Sequence, residues 1–161
     1  MPEQQAKTFM VEDARIIFRN FAGREGQYNR KGDRNFGVIL PEDVAQQMLD
    51  DGWNVKYLEA REEGDPETPF VRVAVRYDIR PPRVVVITET TRTQLDEASV
   101  EILDWANIKT LDLIARGSNW SANGKDGVKA YLQSLFVTIE EDALEKKYAF
   151  YDIPSSDSLN D

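Results

Sequence analysis

The sequence predicts a mainly β fold, an antiparallel barrel with one or two short inserted helices. Three observations favour this fold class. The chain has 161 residues, the size of one ordinary domain with a sizeable core. Most apolar residues recur at every second position, the period of a half-buried strand. The segments between them are mostly short and rich in glycine, proline and asparagine, as in hairpin turns.

The first predicted strand covers residues 11–21, where apolar side chains alternate between the two faces. It leads into the sequence AGREGQYNRKGDRN, which holds three glycines and shows no apolar periodicity. A second short strand follows at residues 36–40. We therefore expect two strands joined by a long basic hairpin loop.

A short helix is predicted directly after this hairpin. Pro41 has the φ angle of a first helical turn, and Glu42 and Asp43 place negative charge at the positive end of the helix dipole. Gly52 is a natural stop. The apolar stripe of the helix consists of Val44, Ala45, Met48 and Leu49.

The middle of the chain predicts three further strands. Residues 53–60 resume a strand, an acidic turn occupies 62–67, and residues 70–77 alternate most clearly. In that segment Arg72 and Arg76 lie on the face opposite the valines, so we expect their face to be open to solvent. After a break at Pro81 and Pro82, the β-branched run 83–90 predicts a buried strand.

The remainder of the chain completes the predicted barrel. We expect a short helix at 97–106, a short strand at 111–116, and a loop at 117–127 whose Asn123-Gly124 dipeptide favours a tight turn. The last long strand is predicted at 128–140. This pattern fits a barrel of the OB type, in which a helix is inserted between strands. A β-sandwich is the alternative.

The composition limits the chemistry that the chain can perform. There is no Cys and no His, which excludes disulfides, thiolate catalysis and the usual Ser-His or Cys-His hydrolases. The commonest metal ligand is also missing. We therefore predict a protein that binds rather than an enzyme, and one that needs no cofactor.

The charge is divided unevenly along the chain. The formal net charge is −9, which taken alone argues against a nucleic-acid partner. Yet residues 15–34 hold six basic residues against two acids, and residues 140–161 hold seven acids against two lysines. From the composition we predict a folded domain at 1–150 and a flexible acidic tail at 151–161.

Aromatic residues alternate with basic residues in several segments. This combination suits single-stranded DNA, because bases stack on rings while phosphates meet cations. For Trp53 and Tyr77, which lie in predicted strands, burial in the core is the favoured alternative. The candidate DNA-binding residues are Arg15, Arg19, Tyr28, Arg30, Lys31, Arg34, Phe36, Trp53, Lys56, Arg72, Arg76, Trp120, Lys125, Lys129 and Tyr131.

The order of these parts resembles the single-stranded DNA-binding proteins encoded by tailed bacteriophages. The resemblance rests on FRNFAGREGQYNRKGDRNFGVIL, GWNVKYLEAR, RVAVRYD, NWSANGKDGVKAYLQSLFVTIEE and the tail DIPSSDSLND. It implies an OB fold and coating of single strands without sequence preference in phage DNA replication and recombination. It also implies that the tail, with Asp152, Asp157 and Asp161, contacts replication or recombination proteins and competes with DNA.

The sequence suggests a cytosolic protein, which for a phage protein means the host cytoplasm. No stretch approaches the roughly 20 apolar residues that span a bilayer, and the first residues do not form a secretory signal. We expect no membrane partner, and either a monomer or a homodimer.

Two other functions compete with DNA coating. A structural or adaptor β-barrel, such as a virion component, is compatible with everything in the sequence. A metal-dependent nuclease is less favoured, because its candidate acids fall at helix ends and in an exposed turn. Those acids are Glu42, Asp43, Asp50, Asp51, Glu62, Glu63 and Asp65.

Overall fold

The computed structural model describes residues 7–78 and 80–140. Within them lie nine strands, one α-helix and one 3-10 helix. The strands are β1 (Thr8–Val11), β2 (Ile16–Asn20), β3 (Arg34–Ile39), β4 (Val55–Leu58), β5 (Thr68–Val75), β6 (Arg83–Ile87), β7 (Arg92–Leu95), β8 (Ile108–Ala122) and β9 (Lys125–Ile139). The helix α1 spans Glu42–Asp50, and the 3-10 helix spans Val100–Asp104.

All nine strands belong to one sheet, which is not closed into a complete barrel. Its main path runs β1-β8-β9-β5-β3-β2, while β4 pairs with β5, β6 with β9, and β7 with β6. The ladders are antiparallel except for β5–β9 and β6–β9, which are parallel. The predicted class, a mainly β fold with short inserted helices, is confirmed.

The core lies on one face of the sheet and follows the predicted alternation. In β5 the valines are buried while Arg72 between them is exposed. Phe21 and Phe36 are fully buried and stack with their ring centroids 5.0 Å apart. Burial of two such rings stabilises the fold by roughly 3–6 kcal/mol on the usual scale for large apolar side chains.

The helix α1 follows the prediction closely. It starts after Pro41 and ends before Gly52, whose φ of +91° is of the kind that only glycine adopts easily. Ala45 and Met48 are buried, whereas Leu49 is exposed at the edge of the stripe. Within the described residues, no helix is long and apolar enough to cross a membrane.

The 3-10 helix is shorter than the helix predicted at 97–106, and it is tied to β2 and the residues that follow. The carboxylate of Asp104 accepts hydrogen bonds from the backbone N–H groups of Phe21 and Ala22 at 2.7 and 3.1 Å. The guanidinium of Arg19 donates to the carbonyls of Leu103 and Ala106 at 3.2 and 2.8 Å. The bonds from Arg19 satisfy carbonyl groups that the end of a short helix leaves unpaired, and the bonds to Asp104 satisfy the two N–H groups that follow β2.

The prediction of a loop at 117–127 is wrong, because most of these residues belong to β8 and β9. β8 and β9 pair along their whole length, and the hairpin closes at Asn123 and Gly124, with φ of 54° and 76°. The predicted tight turn is thus present. The sequence does not indicate these parts of the strands because residues 118–126 are exposed on both faces, so their side chains show no apolar alternation while the backbone still pairs.

The single strand predicted at 11–21 is divided in two. β1 pairs with β8 and β2 pairs with β3, so the chain passes between two regions of the sheet at residues 12–15. At this crossing Asp13 has a φ of 50°, and its N–H donates to the carboxylate of Asp112 at 2.7 Å. β7 was also not predicted, because three of its four residues are exposed.

Candidate nucleic-acid interface

The outward face of the sheet carries the candidate interface. Because the valines of β5 pack inward, Arg72 and Ala74 face outward. The β3–β5 ladder places Gly37 opposite Arg72 and Asn35 opposite Ala74, and the β5–β9 ladder pairs Ala74 with Tyr131. Side chains from three neighbouring strands therefore form one continuous surface.

A groove of about 810 Å³ lies on this surface. It is lined by residues of the β2–β3 loop, of β3, β4 and β5, of the segments next to β4 and β5, and of the β8–β9 hairpin, together with Glu97 after β7. Six of the lining residues are basic and three are acidic. Eight of the predicted DNA-binding residues are brought together here. They are Tyr28, Arg30, Arg34, Lys56, Arg72, Arg76, Trp120 and Lys129.

The cations of the groove differ in how far they are already neutralised. Arg34 pairs with Glu97 at 3.3 Å, and Arg76 forms a two-pronged contact with Asp78. The hydrogen bond and the charge of Asp78 raise the pKa of Arg76 above its usual value. In the described part of the chain, neither Lys56 nor Arg72 forms an ion pair. Among the described residues the same holds for Arg30 and Lys129, so these four side chains are the ones most available to a phosphate.

Trp120 stands where the groove meets the β8–β9 hairpin, and its side chain is 39% exposed. Gly127 is its partner across the ladder. A Cβ at position 127 would lie only 3.1 Å from Cε2, Cζ2 and Nε1 of the indole. The absence of a side chain at Gly127 thus lets the indole lie over the backbone with part of its surface open to solvent.

Two tyrosines flank the basic residues of the groove in different environments. Tyr28 projects from the β2–β3 loop and is 84% exposed. Tyr77, for which the sequence favours burial, is half-buried. The guanidinium carbon of Arg34 lies over its ring, 5.9 Å from the ring centroid. Burial raises the pKa of Tyr77 to about 12. Its hydroxyl has no hydrogen-bond partner among the described residues.

Asn29 orders the β2–β3 loop, and this role was not predicted. Its side-chain amide donates to the carbonyls of Arg24, Arg30 and Asp33 at 2.8 to 3.1 Å, and its Oδ1 accepts from Asn35. The glycine-rich context of an asparagine was the available signal, since asparagine side chains commonly bond to nearby backbone in turns. The loop holds Tyr28 and Arg30 at the groove even though it is not regular structure.

Phe36 and Trp53 do not offer a face for base stacking in this structure. Phe36 is fully buried against Phe21, and Trp53 is 5% exposed and contacts Phe9 edge-on at 5.1 Å. A Cβ at Gly117 would lie 2.7 Å from Cη2 of Trp53, so that glycine makes room for the indole. Both rings are core residues, which for Trp53 is the alternative that the sequence favours. Neither ring belongs to the candidate interface in this structure, contrary to the prediction.

Arg19 is also placed outside the groove. Both of its hydrogen bonds go to carbonyls at the end of the 3-10 helix, and the side chain is partly buried. The guanidinium thus uses two of its five N–H donors to hold the 3-10 helix. Its position in a basic segment of the sequence therefore reflects a structural contact.

The remaining predicted residues lie outside the groove lining. Arg15 is exposed just before β2, Lys31 is exposed in the β2–β3 loop, and Lys125 is exposed beside the hairpin turn. Tyr131 is half-buried in β9, and its ring lies 5.4 Å from the ammonium of Lys129. Tyr131 thus supports a groove residue rather than lining the groove.

A second groove of about 940 Å³ adjoins the hairpin and shares Trp120 with the first. It is lined by Asp51, Asp126 and Lys7, among others, and the ammonium of Lys7 donates to the carbonyl of Asp51 at 2.6 Å. Its balance of charge makes it a poorer site for phosphates than the first groove. Among residues 7–78 and 80–140, no cluster of three acidic side chains is arranged to hold a metal ion.

Comparison with known proteins adds a family and a set of related structures. A family model described as "Putative phage ssDNA-binding domain" matches residues 2–160. The single-stranded DNA-binding protein from bacteriophage Enc34, in complex with ssDNA, aligns with a TM-score of 0.55 at 10% identity, over 84% of this chain and 88% of that chain. Its C-terminal truncation aligns with a TM-score of 0.53 at 12% identity, over 84% and 87%. A comparison with curated proteins gives no match.

At such low identity the Enc34 structures show a shared fold, in agreement with the OB-type prediction. The family match covers almost the whole chain and confirms the resemblance drawn from the sequence. The family consists of DNA-binding domains and not of enzymes, as predicted. The chain belongs to the family of phage single-stranded DNA-binding domains.

Proposed function

We propose that the protein coats single-stranded DNA without sequence specificity during phage DNA replication and recombination. The observation that carries the proposal is the groove in which Trp120 and Tyr28 stand beside six basic side chains. The family match and the ssDNA complex of the Enc34 protein support the choice of ligand. We place this activity in the host cytoplasm.

In the proposed mechanism, basic side chains bind the phosphates and aromatic rings bind the bases. Lys56, Arg72 and Lys129 hold phosphates, since attraction between these charges does not depend on base sequence. Trp120 and Tyr28 receive bases by stacking, which contributes roughly 1–3 kcal/mol per base and suits every base. The protein therefore needs no array of hydrogen bonds to base edges.

Arg34 and Arg76 take a secondary part in this proposal. Each is paired with an acid, Glu97 or Asp78, in the absence of DNA. A phosphate has to compete with that acid, so the gain on binding is smaller than for an unpaired cation. These two pairs keep the rim of the groove ordered and contribute weakly to affinity.

Quenching of tryptophan fluorescence by oligo-dT tests the proposed function. We expect titration to quench emission and quenching to weaken as salt rises. The chain has three tryptophans, of which Trp53 is buried and Trp105 lies outside the groove lining. Trp120→Phe should therefore remove most of the quenching, whereas Trp105→Phe should retain it. Binding that is absent at low salt would contradict the proposal and favour an adaptor protein.

The acidic tail enters the proposal from the sequence, since Asp152, Asp157 and Asp161 lie outside the described residues. We propose a folded domain at 1–150 whose tail at 151–161 competes with DNA for the groove and contacts replication or recombination proteins. A tethered polyanion reaches an effective concentration on the order of millimolar. Removing residues 152–161 should raise affinity for oligo-dT, most strongly at low salt; unchanged affinity there contradicts the competition.

The proposal treats the protein as a monomer or a homodimer. Sedimentation with and without oligo-dT distinguishes the two. If the tail of one copy occupies the groove of another, the dimer should dissociate when residues 152–161 are removed and also when DNA is added.

A further inference from the structure

We infer that Phe18 is a second stacking site for DNA bases, beyond the groove and on the same face of the sheet. The inference rests on the proposed function and names a residue that the sequence did not indicate. At Phe18, a large side chain stands on a backbone conformation that favours glycine. Phe18 has a φ of 52° and is 57% exposed.

The backbone at Phe18 is of a kind that normally carries glycine. The register of the β2–β3 ladder shifts between Ile17 and Asn20, so two residues of β2 stand opposite one residue of β3. Bulges of this type place their first residue in the left-handed region, where glycine is favoured. A phenylalanine there is disfavoured, because its Cβ lies too close to the following carbonyl oxygen. Its ring is more than half exposed, so burial offsets little of that cost.

The bulge directs the ring onto the outward face. Phe18 meets Phe70 edge-on, with ring centroids 5.7 Å apart and planes inclined by 64°. Phe70 is two residues from Arg72 on the same face of β5, and it is paired across the β4–β5 ladder with Lys56. Phe18 is thus joined through Phe70 to Lys56 and Arg72, two of the groove cations that form no ion pair among the described residues.

Gly37 leaves the space that this arrangement needs. It is opposite Arg72 in one ladder and opposite Ile17 in the other. A Cβ at Gly37 would lie 2.9 Å from Cγ1 of Ile17 and 3.2 Å from Cδ2 of Phe70. Any larger residue would displace the ring that supports Phe18.

The ligand that fits the exposed face of Phe18 is a base of the DNA strand that also occupies the groove. An exposed aromatic face beside unpaired cations is the combination that single strands require, and stacking accepts any base. A strand that stacks on Trp120 and passes the cations of β4 and β5 would meet Phe18 at the opposite side of the face. The strained backbone then has a functional reason, as strained residues commonly do at ligand sites.

The test uses binding of labelled oligo-dT of about 16 nucleotides, the upper end of the site size for one OB fold. Phe18→Leu keeps an apolar contact with Phe70 and removes the aromatic face. We expect it to bind about tenfold more weakly with an unchanged salt dependence, within the range for loss of one stacked base. Phe18→Trp should retain the affinity. Met10→Ala, which removes another exposed apolar side chain on β1, should also leave it unchanged.

Phe18→Gly separates a binding role from a structural one. Glycine relieves the backbone strain but loses the contact with Phe70, and the two effects are of similar size. We expect Tm to stay within about 4 °C while affinity falls as in Phe18→Leu. Affinity equal to the wild type in both variants overturns the inference, and so does a fall in Tm that accounts for the lost binding.

Photo-cross-linking gives a second readout. Oligo-dT carrying 5-iododeoxyuridine should form an adduct on the peptide that contains Phe18, in addition to the Trp120 peptide. Adducts confined to the groove peptides overturn the inference. The proposed function fails separately, because in that case the wild-type protein would not bind oligo-dT at all.

Discussion

The indole of Trp120 lies over the bare backbone of Gly127, its partner across the β8–β9 ladder, with three ring atoms 3.1 Å from the place where a Cβ would be. The glycine thereby sets the height of the ring above the sheet. Trp120 keeps 39% of its surface exposed in this position.

Gly127→Ala should weaken binding of oligo-dT about three- to tenfold, because a contact this short obliges the indole to move away from its stacking position. The salt dependence should not change, since no charge is removed. Gly26→Ala is the matched control, because a Cβ there meets no atom within 4 Å. Equal affinities of the two variants would show that the position of the indole does not matter.

Charge removal in the groove should alter the salt dependence of binding. For Arg72→Ala or Lys56→Ala, we expect the slope of log K against log salt to become less negative by about 0.7, the value for one phosphate contact on a single strand. Arg92→Ala removes an exposed cation on β7, outside the groove lining, and should leave the slope intact. The slopes of log K against log salt can be measured from the fluorescence anisotropy of labelled oligo-dT. Equal slopes for the groove variants and Arg92→Ala would contradict the prediction.

Arg30 and Lys31 are neighbours in the sequence, but only Arg30 lines the groove. Arg30→Ala should therefore reduce the salt slope, and Lys31→Ala should have a smaller effect at low salt and none near physiological salt, where exposed charges beyond about 8 Å are screened. Equal effects of the two variants would mean that general positive charge of the loop, and not the groove, drives binding.

Arg19→Ala tests whether this arginine stabilises the fold. It loses hydrogen bonds to the carbonyls of Leu103 and Ala106, and we expect it to lower the free energy of unfolding by about 1–3 kcal/mol. Arg15→Ala, at an exposed position, should change it by less than about 0.5 kcal/mol. Chemical denaturation measures both. A reduced salt slope with unchanged stability in Arg19→Ala would instead assign this arginine to DNA.

Tyr77 should make stability sensitive to alkaline pH. Burial raises its pKa from 10.0 to about 12, so the folded state holds the proton more tightly than the unfolded state does. The resulting stabilisation is complete below pH 10 and is lost as the pH rises towards 12. Tyr77→Phe removes the titrating group, so its stability should fall less over this range when unfolding by urea is compared from pH 9 to pH 12. At neutral pH the variant should be at least as stable as the wild type, because the hydroxyl has no partner among the described residues.

Much of the fold could be predicted from local patterns in the sequence. The alternation in β5 and the signals around Pro41 and Gly52 each indicate a structure over a few residues, and each is found. The sequence does not predict a strand where backbone pairing with a neighbouring strand, and not the pattern of side chains, holds it in place. In residues 118–122 both faces are exposed, so this part of the strand is held by backbone pairing with β9 and shows no apolar alternation.

For the candidate site too, the sequence predicts some features and the tertiary structure decides the others. The amino-acid types that it needs, basic residues alternating with aromatic ones, can be read directly from the sequence together with the split between a basic hairpin and an acidic end. The sequence alone thereby determined the class of ligand, because phosphate affinity and base stacking are properties of individual side chains. It also determined that the chain lacks the side chains of the common catalytic triads.

Only the tertiary structure decided which of those side chains belong together. Phe36 and Phe18 are two aromatic residues of the first hairpin, yet one is fully buried and the other is 57% exposed. The β2–β3 bulge lies at Phe18, and the β8–β9 register places Trp120 opposite Gly127 at the groove. Trp53, which lies between α1 and β4, packs into the core against Phe9. Register is set by contacts between strands that are distant in the sequence, so no local pattern contains it.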